Sequence, residues 1–162
     1  MPKTYEPISN QILTSTQTTV TFSSIPQTYT DLILVIQAQV NGSPINTDGY
    51  VNGDQGTNYS FGTIVGNGTS ASNFYGTNTA FIRYATAGYT DNTFGHNSIN
   101  HFFNYANTTT FKTILSRANN AANGTSITLN LWRSTAAITS ISIVGNPFAI
   151  GSTFTLYGIK AA

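Results

Sequence analysis

The chain has 162 residues, no cysteine and a formal net charge of +1, and only 7% of its residues are charged. This length predicts one domain, and a domain of this size can form a core without disulfides. The six Lys and Arg residues are scattered, which argues against nucleic-acid binding, because that function needs clustered positive charge. The longest apolar run, LILVI at 32–36, is far shorter than the roughly 20 residues of a membrane-spanning helix.

Alternation of apolar and polar residues begins early in the chain and predicts β-strands. In TTVTFSSI (18–25), Val20 and Phe22 fall on one face. The segment DLILVIQAQV (31–40) is apolar on both faces at first and then alternates, which predicts a central strand with one end in solvent. The next predicted strands are NYSFGTIVG (58–66) and TAFIRYA (79–85).

The second half of the chain continues this pattern. Its predicted strands are SINHFFNYA (98–106), TFKTILSR (110–117), SITLNLWRS (126–134), ITSISIV (138–144) and STFTLYGIK (152–160). The first two are joined by a short polar turn and predict a hairpin. In the third, alternation places Ile127, Leu129 and Leu131 on one face and Trp132 on the other.

The last predicted strand supports a specific packing arrangement. We expect Phe154 and Leu156 to face inward, with Tyr157 and Ile159 on the opposite face among threonines. Gly158 interrupts the pattern and indicates either a bulge or a close approach of another group to the backbone. If Tyr157 and Ile159 are exposed in a monomer, they are candidates for contact with another protein chain.

These strands, about nine or ten in number, are separated by turns rich in Asn and Gly, and no segment has a clear helical period. The pattern predicts an all-β protein with a jelly-roll-like antiparallel β-sandwich. We expect residues 12–162 to form a single sandwich domain. Residues 1–11 are predicted to be an extended N-terminal arm, because Pro2 and Pro7 disfavour regular pairing.

No set of side chains in the sequence predicts an enzyme or a bound cofactor. The acidic residues nearest to each other are Asp48 and Asp54, which we interpret as turn residues. The alternative is a calcium site that also uses Asn52 and Asn58, because hard cations prefer oxygen ligands. Its spacing does not match that of an EF-hand loop, so we predict no metal site.

We do not expect the two histidines to bind zinc. His96 and His101 are separated by an odd number of residues, which places them on opposite faces of a continuous strand. We expect His101, which shares a face with Phe103, to be a partly buried structural histidine.

Aromatic residues in loops leave two interpretations open, namely oligomer contacts and stacking on a sugar. The candidates for glycan contact are Tyr50, Tyr59, Tyr75 and Tyr89. The candidates for a protein interface are Tyr157, Ile159, Trp132, Tyr5 and Ile8.

Five stretches of the chain together resemble small virion proteins of tailed bacteriophages, especially cyanophages and other phages of aquatic bacteria. They are FSSIPQTYTDLILV (22–35), VNGDQGTNYS (51–60), NYANTTTFKTILSR (104–117), LWRSTAAITSISI (131–143) and GSTFTLYGIKAA (151–162). The resemblance implies a non-enzymatic β-sandwich protein on the virion surface, often a trimer. It leaves open whether the protein decorates the capsid or belongs to the tail.

The expected function is therefore that of a capsid decoration or cement protein, whose partners are the major capsid protein and further copies of itself in a homotrimer. The alternative is a tail or fibre adhesin domain that binds host surface glycan. The N-terminus lacks the pattern of a signal peptide, so we expect synthesis in the host cytoplasm and a final location on the virion.

Overall fold

The structure consists of two antiparallel β-sheets packed face to face. The computed structural model describes residues 4–42, 45–86 and 93–160, and within these ranges the chain forms twelve strands and no helix. The strands are β1 (Tyr5–Ile12), β2 (Gln17–Phe22), β3 (Asp31–Ala38), β4 (Thr47–Val51), β5 (Tyr59–Gly66), β6 (Ala71–Thr79), β7 (Ile82–Ala85), β8 (His96–Phe102), β9 (Lys112–Asn120), β10 (Gly124–Trp132), β11 (Ile141–Phe148) and β12 (Thr153–Ile159).

The strand order is that of an enlarged jelly roll. The larger sheet has eight strands in the order β1-β12-β3-β8-β9-β10-β5-β6, and the smaller has four in the order β2-β11-β4-β7. When β5, β6, β9 and β10 are set aside, the remaining sheets are β1-β12-β3-β8 and β2-β11-β4-β7, which is the strand order of the two sheets in a jelly roll. The predicted all-β antiparallel sandwich is confirmed.

The predicted count of nine or ten strands was too low. Strands β4 and β6 lie in segments rich in Asn, Gly, Ser and Thr, TDGYV and ASNFYGTNT, whose composition is typical of turns. They form strands because each pairs with an apolar neighbour in its sheet, β11 for β4 and β5 for β6. Tertiary pairing therefore overrides weak local preference in both segments.

The apolar core lies between the two sheets, and most of the larger sheet's contribution to it comes from β3 and β12. Phe154 and Leu156 of β12 are fully buried there, as predicted, and Phe154 meets Phe148 of β11 edge to face with the ring centroids 5.1 Å apart. Val20 and Phe22 of β2 close the core from the opposite sheet. Each large side chain buried in this way contributes roughly 1.5–3 kcal/mol.

The predicted arm is an edge strand of this domain. Residues 5–12 form β1 and pair with β12, from Tyr5 opposite Ile159 to Ile12 opposite Thr153. The register shifts between Pro7 and Ser9, because an edge strand tolerates a proline where a bulge interrupts its hydrogen bonds. Ile8 packs against the core. The two prolines therefore did not prevent pairing, and the expectation of an arm separate from the sandwich is corrected for residues 5–11.

Gly158 marks a close approach, one of the two outcomes that its position in the sequence predicted. A methyl group on its Cα would lie 2.3 Å from Cγ of Tyr29, whose ring covers this point of β12. The same ring is held by a hydrogen bond from its hydroxyl to Glu6 Oε2 (3.2 Å), and Lys160 Nζ lies 5.6 Å from the ring centroid. The glycine therefore gives Tyr29 the space to join β1 to β12.

We expect Gly158→Ala to lower the free energy of unfolding by about 1–3 kcal/mol, because the added methyl group displaces the Tyr29 ring. The matched control is Gly62→Ala, also in a strand of the larger sheet, where an added methyl group has no atom within 4 Å. Urea denaturation of both variants measures the difference. An equal effect of the two substitutions would contradict the assigned close contact.

Candidate functional site

The strands on the β5 side of the larger sheet have an unusual orientation, with polar side chains inward and apolar side chains outward. In β10, Ser126, Thr128 and Asn130 are buried beneath the sheet, whereas Ile127 is 44% and Leu129 is 55% exposed on the outer surface. An antiparallel sheet with one solvated face normally has the opposite arrangement. The exposed apolar surface therefore needs an explanation in terms of function.

Cross-strand register brings outward residues from several strands into rows. One row contains Ile64 of β5, Ile127 of β10, Arg117 of β9 and Ile99 of β8. The next row contains Tyr75 of β6, Gly62, Leu129, Leu115 of β9 and His101. We call the apolar part of this surface the outer apolar face, and it consists of Ile64, Tyr75, Ile99, Leu115, Ile127, Leu129 and Leu131.

The polar layer beneath this face is held by hydrogen bonds to β7. The backbone N–H of Arg83 donates to Oδ1 of Asn130 (2.8 Å), and Nδ2 of Asn130 donates to the carbonyl of Arg83 (3.1 Å). The side-chain amide of Asn130 thus forms the same pair of hydrogen bonds with the backbone of β7 that a neighbouring strand would form. Thr63 and Thr128 also share a hydrogen bond, of 2.9 Å. Because these buried polar groups have partners, the inward orientation of the polar residues is the stable one.

The outer apolar face contains a projection and a depression side by side. Tyr75 is 81% exposed and stands directly opposite Gly62 in the pairing of β5 with β6. Gly62 has no side chain, and it lines a depression of about 320 Å³ together with Leu129 and Leu131. The surface is therefore not flat, and its shape can fit a complementary one.

Arg117 is the charged residue within this apolar surface. It is exposed on β9 between Ile127 and Ile99, and it makes no hydrogen bond or ion pair with any residue that the structure describes. Arginine combines with apolar and aromatic residues more readily than other charged residues do in the centres of protein interfaces. Its position is consistent with a contact surface for another macromolecule.

His101 has a structural role at the border of this surface. Its ring stacks on Phe103 with the centroids 3.9 Å apart, and its Nε2 lies 2.9 Å from Oδ2 of Asp31. Oδ1 of the same carboxylate accepts a hydrogen bond from the backbone N–H of Asn104 (2.7 Å). His96 points inward and is 3% exposed. The two histidines lie on opposite faces of β8, as their spacing predicted.

Two of the predicted site residues are buried in one cluster. Trp132 is 2% exposed, Tyr59 is fully buried, and their rings stack with the centroids 6.4 Å apart. The Trp132 Nε1–H donates to Oδ2 of Asp54 (2.7 Å), and the Tyr59 hydroxyl donates to the Asp54 carbonyl (2.9 Å). This burial corrects the assignment of Trp132 to an interface and of Tyr59 to glycan stacking, because neither ring is accessible.

The remaining glycan candidates do not form one site. Tyr50 is half-buried against the core, Tyr75 belongs to the outer apolar face, and Tyr89 lies outside the described residues. Among the described members of the set, only Tyr75 therefore presents an open ring.

The interface candidates near the β1 edge lie on the same side of the sheet as the outer apolar face. Tyr157 pairs with Ile33 and Pro7, Ile159 pairs with Tyr5, and both side chains are half-buried. Tyr5 is 57% exposed. Ile8 is instead half-buried and packs against the core.

The two acidic residues of the calcium alternative have separate partners. Asp48 on β4 pairs with Arg83 (Oδ1 to Nε 2.5 Å), and burial raises the pKa of Asp48 to about 6 although Arg83 opposes this. Asp54 accepts hydrogen bonds from Trp132, Asn58 and the backbone N–H of Gly56. Among the residues that the structure describes, no group of three or more His, Asp or Glu side chains could hold a metal ion.

Comparisons with known proteins do not place the chain in a family. No protein-family model matches it, and neither a curated protein nor a solved structure is significantly similar to it. The resemblance to phage virion proteins therefore stays a prediction from the sequence. Within the described ranges, no helix is long and apolar enough to cross a membrane.

We expect Asp54→Ala to lower the free energy of unfolding at pH 7 by about 1.5–3 kcal/mol, because hydrogen bonds to a carboxylate are lost and Trp132 Nε1 is left without its acceptor. Burial alone would raise the pKa of Asp54, but hydrogen bonds from Trp132, Asn58 and Gly56 lower it below its ordinary value of 3.8. A lowered folded-state pKa stabilises the protein above that value, and the effect is lost as the pH falls through the folded pKa.

The difference between the wild-type protein and the Asp54→Ala variant should accordingly shrink as the pH is lowered from 7 to below the ordinary pKa of 3.8. Urea denaturation across this range measures it. Gln55→Ala, an exposed change in the same turn, is the control and should have little effect at any pH. A loss that does not depend on pH would contradict the role of the ionised carboxylate.

Proposed function

We propose that this protein is a structural protein that acts by binding other proteins, and specifically that it is a capsid decoration or cement protein of a tailed bacteriophage. The observation that carries the proposal is the outer apolar face above a buried polar layer. A sheet built in this way exposes Leu129, Ile127 and Ile64 to water unless a second protein surface covers them.

The energetic argument is that burial of this face favours association. Apolar surface removed from water contributes roughly 25 cal/mol per Å². Beneath it, Thr63, Thr128 and Asn130 already have hydrogen-bond partners within the domain. On this side of the sheet, hydrogen bonds inside the domain stabilise the fold. The free energy available from burying the outer apolar side chains is gained only when another protein covers them. A protein whose task is to hold an assembly together needs this distribution.

The finer assignment to a phage capsid rests on two features of the sequence. The five stretches between residues 22 and 162 resemble small virion proteins, and the surface depends on Thr, Asn, Ser and Gly rather than on charge, with 7% charged residues in the chain. Such a surface contacts a partner through apolar and backbone groups. Symmetric assembly of a homotrimer with the major capsid protein as its support is consistent with both features.

The proposal is tested by adding the purified protein to capsid shells assembled from the major capsid protein of the same phage. We expect saturable co-sedimentation at a fixed ratio to the shell protein, and shells that resist heating better than undecorated ones. Shells of an unrelated tailed phage are the control.

Three results would overturn the capsid assignment. One is the absence of saturable binding to the shells, and another is binding to isolated tails instead. The third is saturable binding of host lipopolysaccharide, measured by titration calorimetry, that is lost in Tyr75→Ala, since that result supports the adhesin alternative.

A further inference from the structure

We infer that the outer apolar face is covered by a second copy of this chain, so that the copies associate through the β8–β9–β10–β5–β6 side of the larger sheet. The inference deepens the proposed function, because it names the surface that joins one copy to the next and leaves the rest of the molecule for other partners.

The exposed area is large enough for a stable contact. The five most exposed members of the face are Tyr75 (81%), Ile64 (60%), Leu129 (55%), Ile127 (44%) and Ile99 (39%). If each side chain exposes about 200 Å² when fully free, together they offer roughly 550 Å² of mainly apolar surface. A standard interface buries about 800 Å² per partner, and Leu115, Leu131, Arg117 and the polar residues around them supply the remainder.

The face also contains features that complement each other. Tyr75 projects from β6, and the depression at Gly62 between Leu129 and Leu131 has a volume of about 320 Å³, which is large enough for a phenol ring. Every copy carries both features, so a neighbour's Tyr75 can enter the depression of the next copy. A surface made for an unrelated partner has no need to carry both halves of the fit.

The edges of the larger sheet differ in a way that favours the same side. At the β1 edge, Pro7, the bulge that follows it and the ion pair of Glu6 with Lys160 all oppose further strand pairing. The β6 edge, ASNFYGTNT, contains no proline and no charged residue. A neighbouring copy can therefore approach β6 without burying a charge, and Tyr75 lies at the centre of that strand.

Charge also favours a copy of the chain over an acidic partner. The formal net charge of +1 gives very little long-range repulsion between copies. Arg117 carries the positive charge in this surface. A second copy presents oxygen atoms that can accept hydrogen bonds from its guanidinium group, namely the side-chain amide oxygens of Asn73 and Asn119 and the hydroxyl of Tyr75. An acidic protein would contact one positive group surrounded by isoleucine and leucine, and this would give poor electrostatic complementarity.

The test is the oligomeric state of the whole protein between about 1 and 100 µM, measured by sedimentation velocity and by light scattering after size exclusion. We expect the wild-type protein to form oligomers in this range. We expect Leu129→Asn and Ile127→Asn, which keep the size of the side chain approximately, to raise the dissociation constant at least tenfold, a change of about 1.4 kcal/mol.

The matched control is Ile150→Asn. Ile150 is 67% exposed, like the residues of the face, but it lies in the turn between β11 and β12. We expect this variant to associate as the wild-type protein does. Near-ultraviolet circular dichroism of Trp132 and the thermal midpoint show that all three variants are folded. Oligomers unaffected by both changes on the face, or a wild-type protein that is monomeric at 100 µM, would overturn the inference.

A second measurement locates the contact directly. Because the chain has no cysteine, single cysteines can be introduced one at a time. We expect Leu129→Cys to give covalent dimers under mild oxidation and Ile150→Cys to remain unlinked. Rapid cross-linking from position 150 with none from position 129 would exclude the outer apolar face as the contact.

Failure of this inference and failure of the proposed function give different results. A monomer that decorates capsid shells supports the proposed function and overturns the self-association. An oligomer sensitive to Leu129→Asn that binds no shell supports the self-association and overturns the capsid assignment.

Discussion

The period of two along a β-strand is the constraint on which the rest of this structure depends. Once Asn130 points inward to bond the backbone of Arg83, Leu129 and Leu131 must point outward, because neighbouring side chains lie on opposite faces. The same applies to Ser116 with Leu115 and to Thr63 with Ile64. Because these strands alternate polar and apolar residues, a polar layer inside the sandwich places their apolar side chains outside it.

This constraint divides the molecule into two halves with different energetics. On the β12–β3 side, apolar residues such as Phe154 and Leu34 meet the smaller sheet, and burial stabilises the fold directly. On the β5–β10 side, hydrogen bonds to β7 replace much of that apolar contact. Hydrogen bonds specify a partner geometry more than they add net stability. The second half thus fixes the position of β7. It adds Tyr59, Ile114 and Trp132 to the core, and its other large aliphatic side chains lie on the outer surface.

The sequence was sufficient for the class of fold and for much of the core. The inward orientation predicted for Phe154 and Leu156 of β12 is confirmed, and the shared face predicted for Val20 and Phe22 of β2 is also buried. The grouping of Ile127, Leu129 and Leu131 on one face was also correct. Their outward direction was not predicted, since alternation alone does not say which face is inside.

One signal for that direction was present in the sequence. Trp132 lies on the same face of β10 as Ser126, Thr128 and Asn130. The strand could therefore bury either this face, with one tryptophan and three polar residues, or the opposite face, with three aliphatic residues. Only tertiary contacts decide this: Asp54 accepts the indole N–H and Arg83 provides the backbone groups for Asn130. The pairing of β1 escaped prediction for a related reason, because Pro7 is unfavourable in a central strand but tolerated at an edge.

The pairing of β1 with β12 has a consequence for the order in which the protein folds. The first strand and the last are hydrogen-bonded neighbours, and Lys160 N–H donates to the carbonyl of Thr4 (3.2 Å). During synthesis β1 therefore waits for almost the whole chain to leave the ribosome before its own partner exists. Strands β8, β9 and β10, in contrast, are joined by successive hairpins and can pair as they emerge. We therefore expect the larger sheet to grow from its middle and its β1 edge to close last.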